Sequence, residues 1–357
     1  MKVGLFALAG SLALTICAIV CGAPAMGGSA PGICGPFGDP PAIFTGVVKP
    51  GCLHGALLGP WKDPNGTDRY ACLWVPRHAA SKSRLPMVIY LHPSLFGPNT
   101  VTLTGLLRYQ DSRSLSANPK NAGYIVLAPV GRKTLHHYPR PDEKGLGWDN
   151  WYRQLNPAGD VTVGKGLYRE NMDAAAIDHF VAQEVAGRKV DPARIYITGW
   201  SNGAAMALLY ALNRPTIAAA AFYTAPNPFG AFKDRCPQTP VKGPAANDAQ
   251  IQIFNPGVPT MHLHNSCDIA GICPNGERMA KQLAAAGVSV RDTIIDFSGK
   301  QVNQCTLSCG AREGGASTPG SDPLGFSVGL VEHGRWRKKW TPVMLDFMHA
   351  HSLDAKC

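Results

Sequence analysis

The chain has 357 residues, 45% of them hydrophobic, which suffices for one large α/β domain. Its formal net charge of +10 is a mild excess, and the densest basic run, Arg335 to Lys339, contains four basic residues. Because no longer basic stripe or recognisable binding motif is present, we expect no nucleic-acid partner. Attraction to acidic polymers or to an anionic surface stays open.

The N-terminus has the features of a secretory signal peptide. Lys2 is the one charged residue in the first 25, an apolar run from Leu5 to Val20 follows, and Ala23-Pro24-Ala25 matches a cleavage pattern. We therefore predict a signal peptide over residues 1–25 and a secreted or periplasmic protein. The apolar run is short for a bilayer span, so no stable membrane insertion is expected. Cys21 would permit a lipid anchor, but Val20 stands where a small residue is needed.

Nine of the 11 cysteines follow the predicted signal peptide. In an exported protein they imply disulfide bonds, and the odd number leaves at least one unpaired or bonded elsewhere. Connectivity cannot be read from sequence. The local candidates, which would close short loops, are Cys267 with Cys273 and Cys305 with Cys309, and longer links are open to Cys34, Cys52, Cys72, Cys236 and Cys357.

The first half of the chain changes from irregular to regular patterning. Residues 26–84 are predicted to be an irregular segment with edge strands at Thr45–Val48 and Tyr70–Val75. From residue 85, continuous apolar runs predict strands covered on both faces at Pro86–His92 and Gly123–Pro129. Apolar residues at helical spacing predict a crossover helix over Arg169–Arg188.

The second half continues this alternation to the end of the chain. The predicted strands are Arg194–Thr198, Val258–His264 and Ser289–Phe297, and the predicted helices are Ala204–Leu212, Asn275–Ala286 and Thr341–Leu353. A Gly/Ser/Pro-rich stretch over Ser298–Phe326 interrupts the pattern. Strands that alternate with helices predict a mostly parallel sheet with helices on both faces, so residues 85–357 are expected to form one α/β domain.

The motif that carries most chemical information is Gly199-Trp200-Ser201-Asn202-Gly203, which matches G-x-S-x-G. A strand-like run precedes it and a helix-like run follows it, which is the context of a nucleophile elbow. Such a sharp turn needs small residues beside the serine because larger side chains would collide, and the two glycines supply them. The motif therefore predicts that Ser201 is a nucleophile.

A serine nucleophile needs a histidine to take its proton and a carboxylate to orient that histidine. The order typical of hydrolases with this elbow is serine, acid, histidine. Asp268, just past the strand that ends at His264, and His333, before the last helix, fit that order. The competing residues are Asp292 and Asp296 for the acid and His349 and His351 for the base; His262 and His264 precede the acid and break the order.

The same mechanism needs N–H donors for an oxyanion. We expect one from the main chain of Asn202 and the second from the loop Pro93–Gly97. Because proline has no N–H, Ser94 is the favoured second donor, with Leu95 behind it. The tryptophans that could line an acyl or alcohol pocket, although packing is their commoner role, are Trp148, Trp151, Trp200 and Trp336.

Metal and cofactor chemistry has little support in the sequence. His136-His137 and His262-x-His264 offer imidazoles, but no Cys/His quartet has zinc spacing and no H-E-x-x-H motif occurs. We expect neither a catalytic metal nor a cofactor.

Several segments match one known family when taken together: Leu91–Ser94, Gly147–Trp151, the helix Asp173–Val185, Val190–Gly203, and Asp268 with Pro274–Gly276. From about residue 85 the chain resembles secreted esterases that include polyhydroxybutyrate depolymerases, feruloyl esterases and acetylxylan esterases. The resemblance implies an α/β-hydrolase fold and ester hydrolysis by Ser201, Asp268 and His333. The chain departs from the family in having His92-Pro93-Ser94 for His-Gly-Cys, and Gly334-Arg335-Trp336 after His333 for x-Trp-Pro.

These observations predict a secreted serine esterase that works through an acyl-enzyme. An ester, either a small molecule or a polymer, is the expected partner, and polyhydroxyalkanoate depolymerisation fits the resemblance best. Feruloyl or acetylxylan esterase activity is the first alternative. An exported hydrolase-fold protein that binds a ligand without turnover is an alternative of another class, and peptidase activity uses the same triad. The sequence does not predict the oligomeric state.

Overall fold

The computed structural model describes residues 49–63, 67–77, 84–94, 96–118, 121–131, 147–148, 161–163, 166–168, 172–187, 189–228, 255–268, 272–306 and 329–354. The predicted signal peptide, the strand expected at Thr45–Val48 and Trp151 lie outside these residues, as does Leu95. None of the helices described is both long and apolar enough to cross a membrane.

The described strands form one large sheet and one small hairpin. The large sheet contains β1 (Ala56–Lys62), β2 (Asp68–Trp74), β3 (Leu85–Leu91), β4 (Ile125–Pro129), β7 (Val190–Trp200), β8 (Ala219–Tyr223), β9 (Thr260–Asn265), β10 (Val290–Ile295) and β11 (Gln301–Val302), and the hairpin contains β5 (Val161–Val163) and β6 (Gly166–Tyr168). The strand order in the large sheet is β1-β2-β4-β3-β7-β8-β9-β10-β11.

The centre of the large sheet is parallel and its two ends are antiparallel. The pairs from β4 through β3, β7, β8 and β9 to β10 are all parallel. The antiparallel pairs are β1 with β2, β2 with β4, and β10 with β11. This strand order with its antiparallel N-terminal edge, together with the crossover helices, defines an α/β-hydrolase fold, as expected from the sequence.

Helices cover both faces of the sheet. The described helices of eight or more residues are α1 (Met172–Ala186), α2 (Asn202–Asn213), α3 (Ile272–Ala285) and α4 (Thr341–His349). Alternate residues of β3 enter two separate cores, with Met87 and Ile89 on the side of α1 to α3, and Val88 and Tyr90 on the side of α4. The continuous apolar run of β3 therefore follows from its burial on both faces.

Five of the described strands were not predicted, and one prediction is wrong in its position. The strands missed by the sequence analysis are β1, the hairpin strands β5 and β6, β8 and the short β11. The strand expected at Tyr70–Val75 is present as β2, but it is not an edge strand because β1 and β4 pair with its two sides. The strand β8 begins with three alanines, which have weak strand propensity, and it forms because it is buried between β7 and β9.

The disulfide bonds differ from the short-range pairs suggested by sequence spacing. Cys52 is bonded to Cys72, and Cys273 is bonded to Cys305. The second bond excludes both local pairings, Cys267 with Cys273 and Cys305 with Cys309; Cys267 is disulfide-bonded as well. Distance in the fold, and not distance along the chain, decides the pairing. Cys273 is the second residue of α3, and Cys305 comes three residues after β11.

Candidate active site

The chain turns sharply at Ser201, between β7 and α2. Ser201 has φ 54° and ψ −124°, a main-chain conformation that non-glycine residues rarely adopt. A Cβ atom at Gly199 would lie 2.4 Å from the oxygen of Gly203, and one at Gly203 would lie 2.3 Å from the oxygen of His92. Both glycines are therefore required sterically, and the turn has the geometry that the G-x-S-x-G motif predicts.

Three side chains predicted from the sequence lie within hydrogen-bonding distance at this turn. The Oγ atom of Ser201 lies 2.7 Å from Nε2 of His333, and Nδ1 of His333 lies 2.7 Å from Oδ1 of Asp268. Asp268 is fully buried and Ser201 is 9% exposed. A carboxylate can only accept, so Nδ1–H donates to Asp268 and the free Nε2 lone pair accepts the serine O–H. This arrangement can remove a proton from Ser201 as its oxygen attacks.

The competing acids and bases have other partners. Asp292 lies 3.0 Å from Nε2 of His264, and Asp296 accepts hydrogen bonds from Ser298 and from the N–H of Lys300. His262 is buried, with Nε2 3.1 Å from the hydroxyl of Thr260, and burial lowers its pKa to about 3. His351 packs on Phe347, and His349 is the last residue of α4. The structure brings Ser201, Asp268 and His333 together and leaves these residues outside.

The loop after β3 is held by the buried ring of His92. Nε2 accepts the N–H of Gly131 at 2.9 Å, so Nδ1 carries the proton and donates to the carbonyl of Pro93, also at 2.9 Å. Burial lowers the pKa of His92 to about 4, which keeps the ring neutral in this role. Because C=O and N–H point in opposite directions across a trans peptide, this bond directs the N–H of Ser94 away from the ring.

The N–H of Ser94 donates to no other group among the described residues. It is therefore available to a ligand, as an oxyanion donor must be. The role of Ser94 and of the N–H of Asn202 as oxyanion donors stays a prediction.

The side chain of Asn202 has a structural contact that the motif did not indicate. Its Oδ1 accepts the main-chain N–H of Trp148 at 2.7 Å, and the indole of Trp148 donates to the carbonyl of His92 at 2.8 Å. Trp148 thus links the turn at Ser201 to the loop that carries Ser94. No spacing rule in the sequence could have revealed this link, because it joins three segments that are distant along the chain.

The three described tryptophans that were candidates for a pocket are buried and hydrogen-bonded to the protein. Trp148 is 0% exposed, Trp200 4% and Trp336 5%. The indole of Trp200 donates to the carbonyl of His333, and that of Trp336 donates to the hydroxyl of Thr341. These contacts assign packing roles to the three indoles and leave them little surface for a ligand, so lining of an acyl or alcohol pocket by tryptophan stays a prediction.

A cavity of about 420 Å³ adjoins the loop after β3. Its lining residues are Pro50, Phe96, Gly97, Pro98, Asn99, Thr100, Thr102, Leu103 and Val130, none of which is charged. Phe96 and Leu103 are exposed, and the N–H of Phe96 bonds the carbonyl of Pro93, so the cavity begins in the same turn as Ser94. Within the described part of the chain, no three His, Cys, Asp or Glu side chains are placed to hold a metal ion.

Comparison with known proteins gives structural likeness at low sequence identity. No protein-family model matches the chain, and no curated protein is similar to it in sequence. Solved structures similar to it include a thermostable esterase (15% identity, 84% of this chain and 63% of that one, TM-score 0.44). Another is an acetyl xylan esterase from Aspergillus awamori (19% identity, 66% of this chain and 80% of that one, TM-score 0.43). A third is Thermogutta terrifontis esterase 2 phosphorylated by paraoxon (12% identity, 80% of this chain and 94% of that one, TM-score 0.43).

The chain spans less than two thirds of the length of the thermostable esterase. All three TM-scores are below 0.5. The likeness therefore gives no information on the activity of this protein. Its fold is defined by the strand order and the helices described above.

Proposed function

We propose that this protein is an exported serine esterase that hydrolyses carboxylic ester bonds. The observation that supports this most directly is the continuous chain of hydrogen bonds from Ser201 through His333 to the buried Asp268. A serine hydroxyl alone is a poor nucleophile at neutral pH, and this arrangement supplies both the base and the group that orients it.

In the proposed reaction, Nε2 of His333 takes the proton of Ser201 as Oγ attacks the ester carbonyl carbon. The N–H groups of Asn202 and Ser94 stabilise the oxyanion of the tetrahedral intermediate. His333 then gives its proton to the leaving alcohol, and an acyl-enzyme forms on Ser201. Water, deprotonated by the same histidine, attacks the acyl group and releases the acid, while Asp268 holds the imidazole in the required tautomer throughout.

The substrate that we propose is an ester with an apolar acyl part, most simply a polyhydroxyalkanoate. The uncharged cavity beside Ser94, with Phe96 and Leu103 exposed on it, favours an aliphatic polyester surface over a strongly polar glycan. Hydrolysis of feruloyl or acetyl groups on xylan is the second candidate. Clearing of a polyhydroxybutyrate suspension, measured beside release of ferulate and acetate from xylan, distinguishes the two.

Turnover of a short p-nitrophenyl ester tests the reaction type. Ser201→Ala should lower kcat by roughly 10,000-fold or more, because serine and histidine act as one unit, while far-UV circular dichroism and Tm stay near the wild-type values. Ser112→Ala, at an exposed turn, is the matched control and should leave kcat unchanged. Covalent labelling by a fluorophosphonate should occur in the wild type and be lost in Ser201→Ala. A folded wild type that neither hydrolyses esters nor takes the label would instead support ligand binding without turnover.

A further inference from the structure

Three neighbouring strands end in side chains that converge on the segment carrying His333. Trp200, Tyr223 and Asn265 are the last residues of β7, β8 and β9, which are adjacent and parallel in the sheet. All three are buried. Because the carboxyl ends of parallel strands meet at one edge of a sheet, these side chains share the edge at which the chain turns at Ser201.

Each of the three side chains donates a hydrogen bond to a main-chain carbonyl of residues 332–335. The amide of Asn265 donates to Glu332 at 2.8 Å. The indole of Trp200 donates to His333 at 2.9 Å. The hydroxyl of Tyr223 lies 2.9 Å from the oxygen of Arg335 and 3.1 Å from Oδ1 of Asn265, and we assign its single hydrogen to the nearer acceptor. The same hydroxyl accepts the N–H of Arg337 at 3.1 Å. The main chain is thus fixed on both sides of His333.

Ring packing and an ion pair add to these hydrogen bonds. The ring of Trp336 stacks on Tyr223 with centroids 4.5 Å apart and meets Trp200 edge-on at 5.9 Å. The buried carboxylate of Glu332 is paired with the guanidinium of Arg337. The two members of this pair lie on either side of His333 in the chain, so the pair holds the shape of residues 332–337 while the strand ends hold their position.

We propose that Trp200, Tyr223 and Asn265 are positioning residues for the base His333, a proposal that rests on the esterase function proposed above. The imidazole has only two rotatable side-chain bonds, so its location follows the location of its main chain. A displacement of about 1 Å between reacting groups can cost about 100-fold in rate. The three hydrogen bonds limit such displacement without contacting the substrate.

Two of the three donors lie on the elements that carry the other two proposed catalytic residues. Trp200 directly precedes Ser201, and Asn265 stands on the strand that leads to Asp268. The elements that carry the nucleophile and the acid therefore also hold the base, and any shift of one strand end moves its donor together with its catalytic partner. A sequence motif could not show this because residues 332–335 are distant along the chain from all three donors.

Substitutions that each remove one of the donors test the proposal. Tyr223→Phe deletes a single oxygen atom, Trp200→Phe deletes the indole N–H, and Asn265→Ala deletes the amide. The matched controls are Trp74→Phe and Tyr124→Phe, since the indole of Trp74, the last residue of β2, donates to Leu53 at 2.8 Å and the hydroxyl of Tyr124 donates to Leu106 at 2.6 Å.

We expect kcat for a p-nitrophenyl ester to fall about 10-fold or more in the three variants, with KM within about 2-fold of the wild type. The two controls should lower Tm by a similar amount and leave kcat within about 2-fold. In a His333→Ala background, the three substitutions should cause no further loss of the residual rate, because they act through the histidine. An equal loss of kcat in the controls, or an equal further loss in the His333→Ala background, would overturn the proposal.

A spectroscopic measurement separates this proposal from the proposed function. The proton shared by Nδ1 of His333 and Asp268 should give a low-field NMR resonance in the wild type and both controls, and Tyr223→Phe should broaden or shift it. If the wild type hydrolyses no ester but this pattern holds, the esterase proposal fails and the positioning of His333 stands. An unchanged resonance in Tyr223→Phe, Trp200→Phe and Asn265→Ala contradicts the positioning role whatever the activity.

Discussion

A Cβ atom on Gly203 would lie 2.3 Å from the main-chain oxygen of His92. Gly203 is the second residue of α2, and His92 begins the loop that carries Ser94, so the absence of a side chain on Gly203 sets the distance between these two segments. Gly203→Ala is predicted to destabilise the fold by about 1–3 kcal/mol and to lower ester turnover by about 100-fold, because main-chain atoms must shift on both sides.

Thermal unfolding and turnover of a short ester measure the two effects of Gly203→Ala. Gly51→Ala is the matched control, since a Cβ atom there meets nothing within 4 Å, and it should change neither quantity. Normal activity in Gly203→Ala would show that the close approach to His92 is not needed at the site.

Acid stability should depend on the buried His262. Burial lowers its pKa to about 3, whereas the unfolded chain takes up the proton near pH 6.5. Between these values the unfolded state binds a proton that the folded state does not, so stability falls as pH falls through this window. His262→Gln should therefore retain roughly 1–3 kcal/mol more of its pH 7 stability at pH 4.5, measured by urea unfolding.

The neighbours of His262 include His264, which faces Asp292, and the separately buried His92 titrates in a similar range. His92 should preserve part of the pH dependence in His262→Gln. His349→Gln, at the exposed end of α4, should leave the dependence unchanged. Identical curves for wild type and His262→Gln would refute the neutral state assigned to His262.

The two described disulfides should contribute similarly to stability and differently to activity. Cys273–Cys305 spans 32 residues and Cys52–Cys72 spans 20, so loss of either should cost about 3–4 kcal/mol from the chain entropy of the unfolded state. Among the four cysteines of these two bonds, only Cys273, in the first turn of α3, lies close in sequence to Asp268. Replacing Cys273 and Cys305 with serine should therefore lower acetate ester turnover more than replacing Cys52 and Cys72.

Urea unfolding and turnover at a temperature where both double variants are folded make this comparison. Equal activity in the two double variants would indicate that the Cys273–Cys305 bond stabilises the protein without holding the segment that carries Asp268.

Exposed apolar residues at the cavity should affect large substrates selectively. Phe96→Ser and Leu103→Ser should lower turnover of a polyester suspension by about 10-fold, since each removes apolar contact area, and should leave p-nitrophenyl acetate within about 2-fold. Val75→Ser removes an exposed apolar side chain elsewhere and is the control. A uniform loss on both substrates would place Phe96 and Leu103 in the support of the Ser94 loop instead.

Local sequence patterns were sufficient to predict an element where the residues that determine it are close together along the chain. The run Pro86–Leu91 is apolar at every position because β3 is buried on both faces, and Gly199 is required by a contact with Gly203 within the turn itself. The strand β8 has no such pattern, since it begins with three alanines. It is a strand because it lies between β7 and β9 in the sheet and pairs with both. Short spacing along the chain also gave wrong disulfide predictions, because the bond in the structure joins Cys273 to Cys305 across 32 residues.

The sequence determined the fold class and predicted the turn at Ser201, with Asp268 and His333 as the favoured acid and base, because strand and helix periodicity and the G-x-S-x-G motif are visible along the chain. Only the tertiary structure brings these side chains into contact, since a hydrogen bond of 2.7 Å depends on where distant segments meet. It also revealed the three strand-end donors around His333. Their partners are main-chain carbonyls, which every residue carries, and so no residue type in the sequence could indicate them.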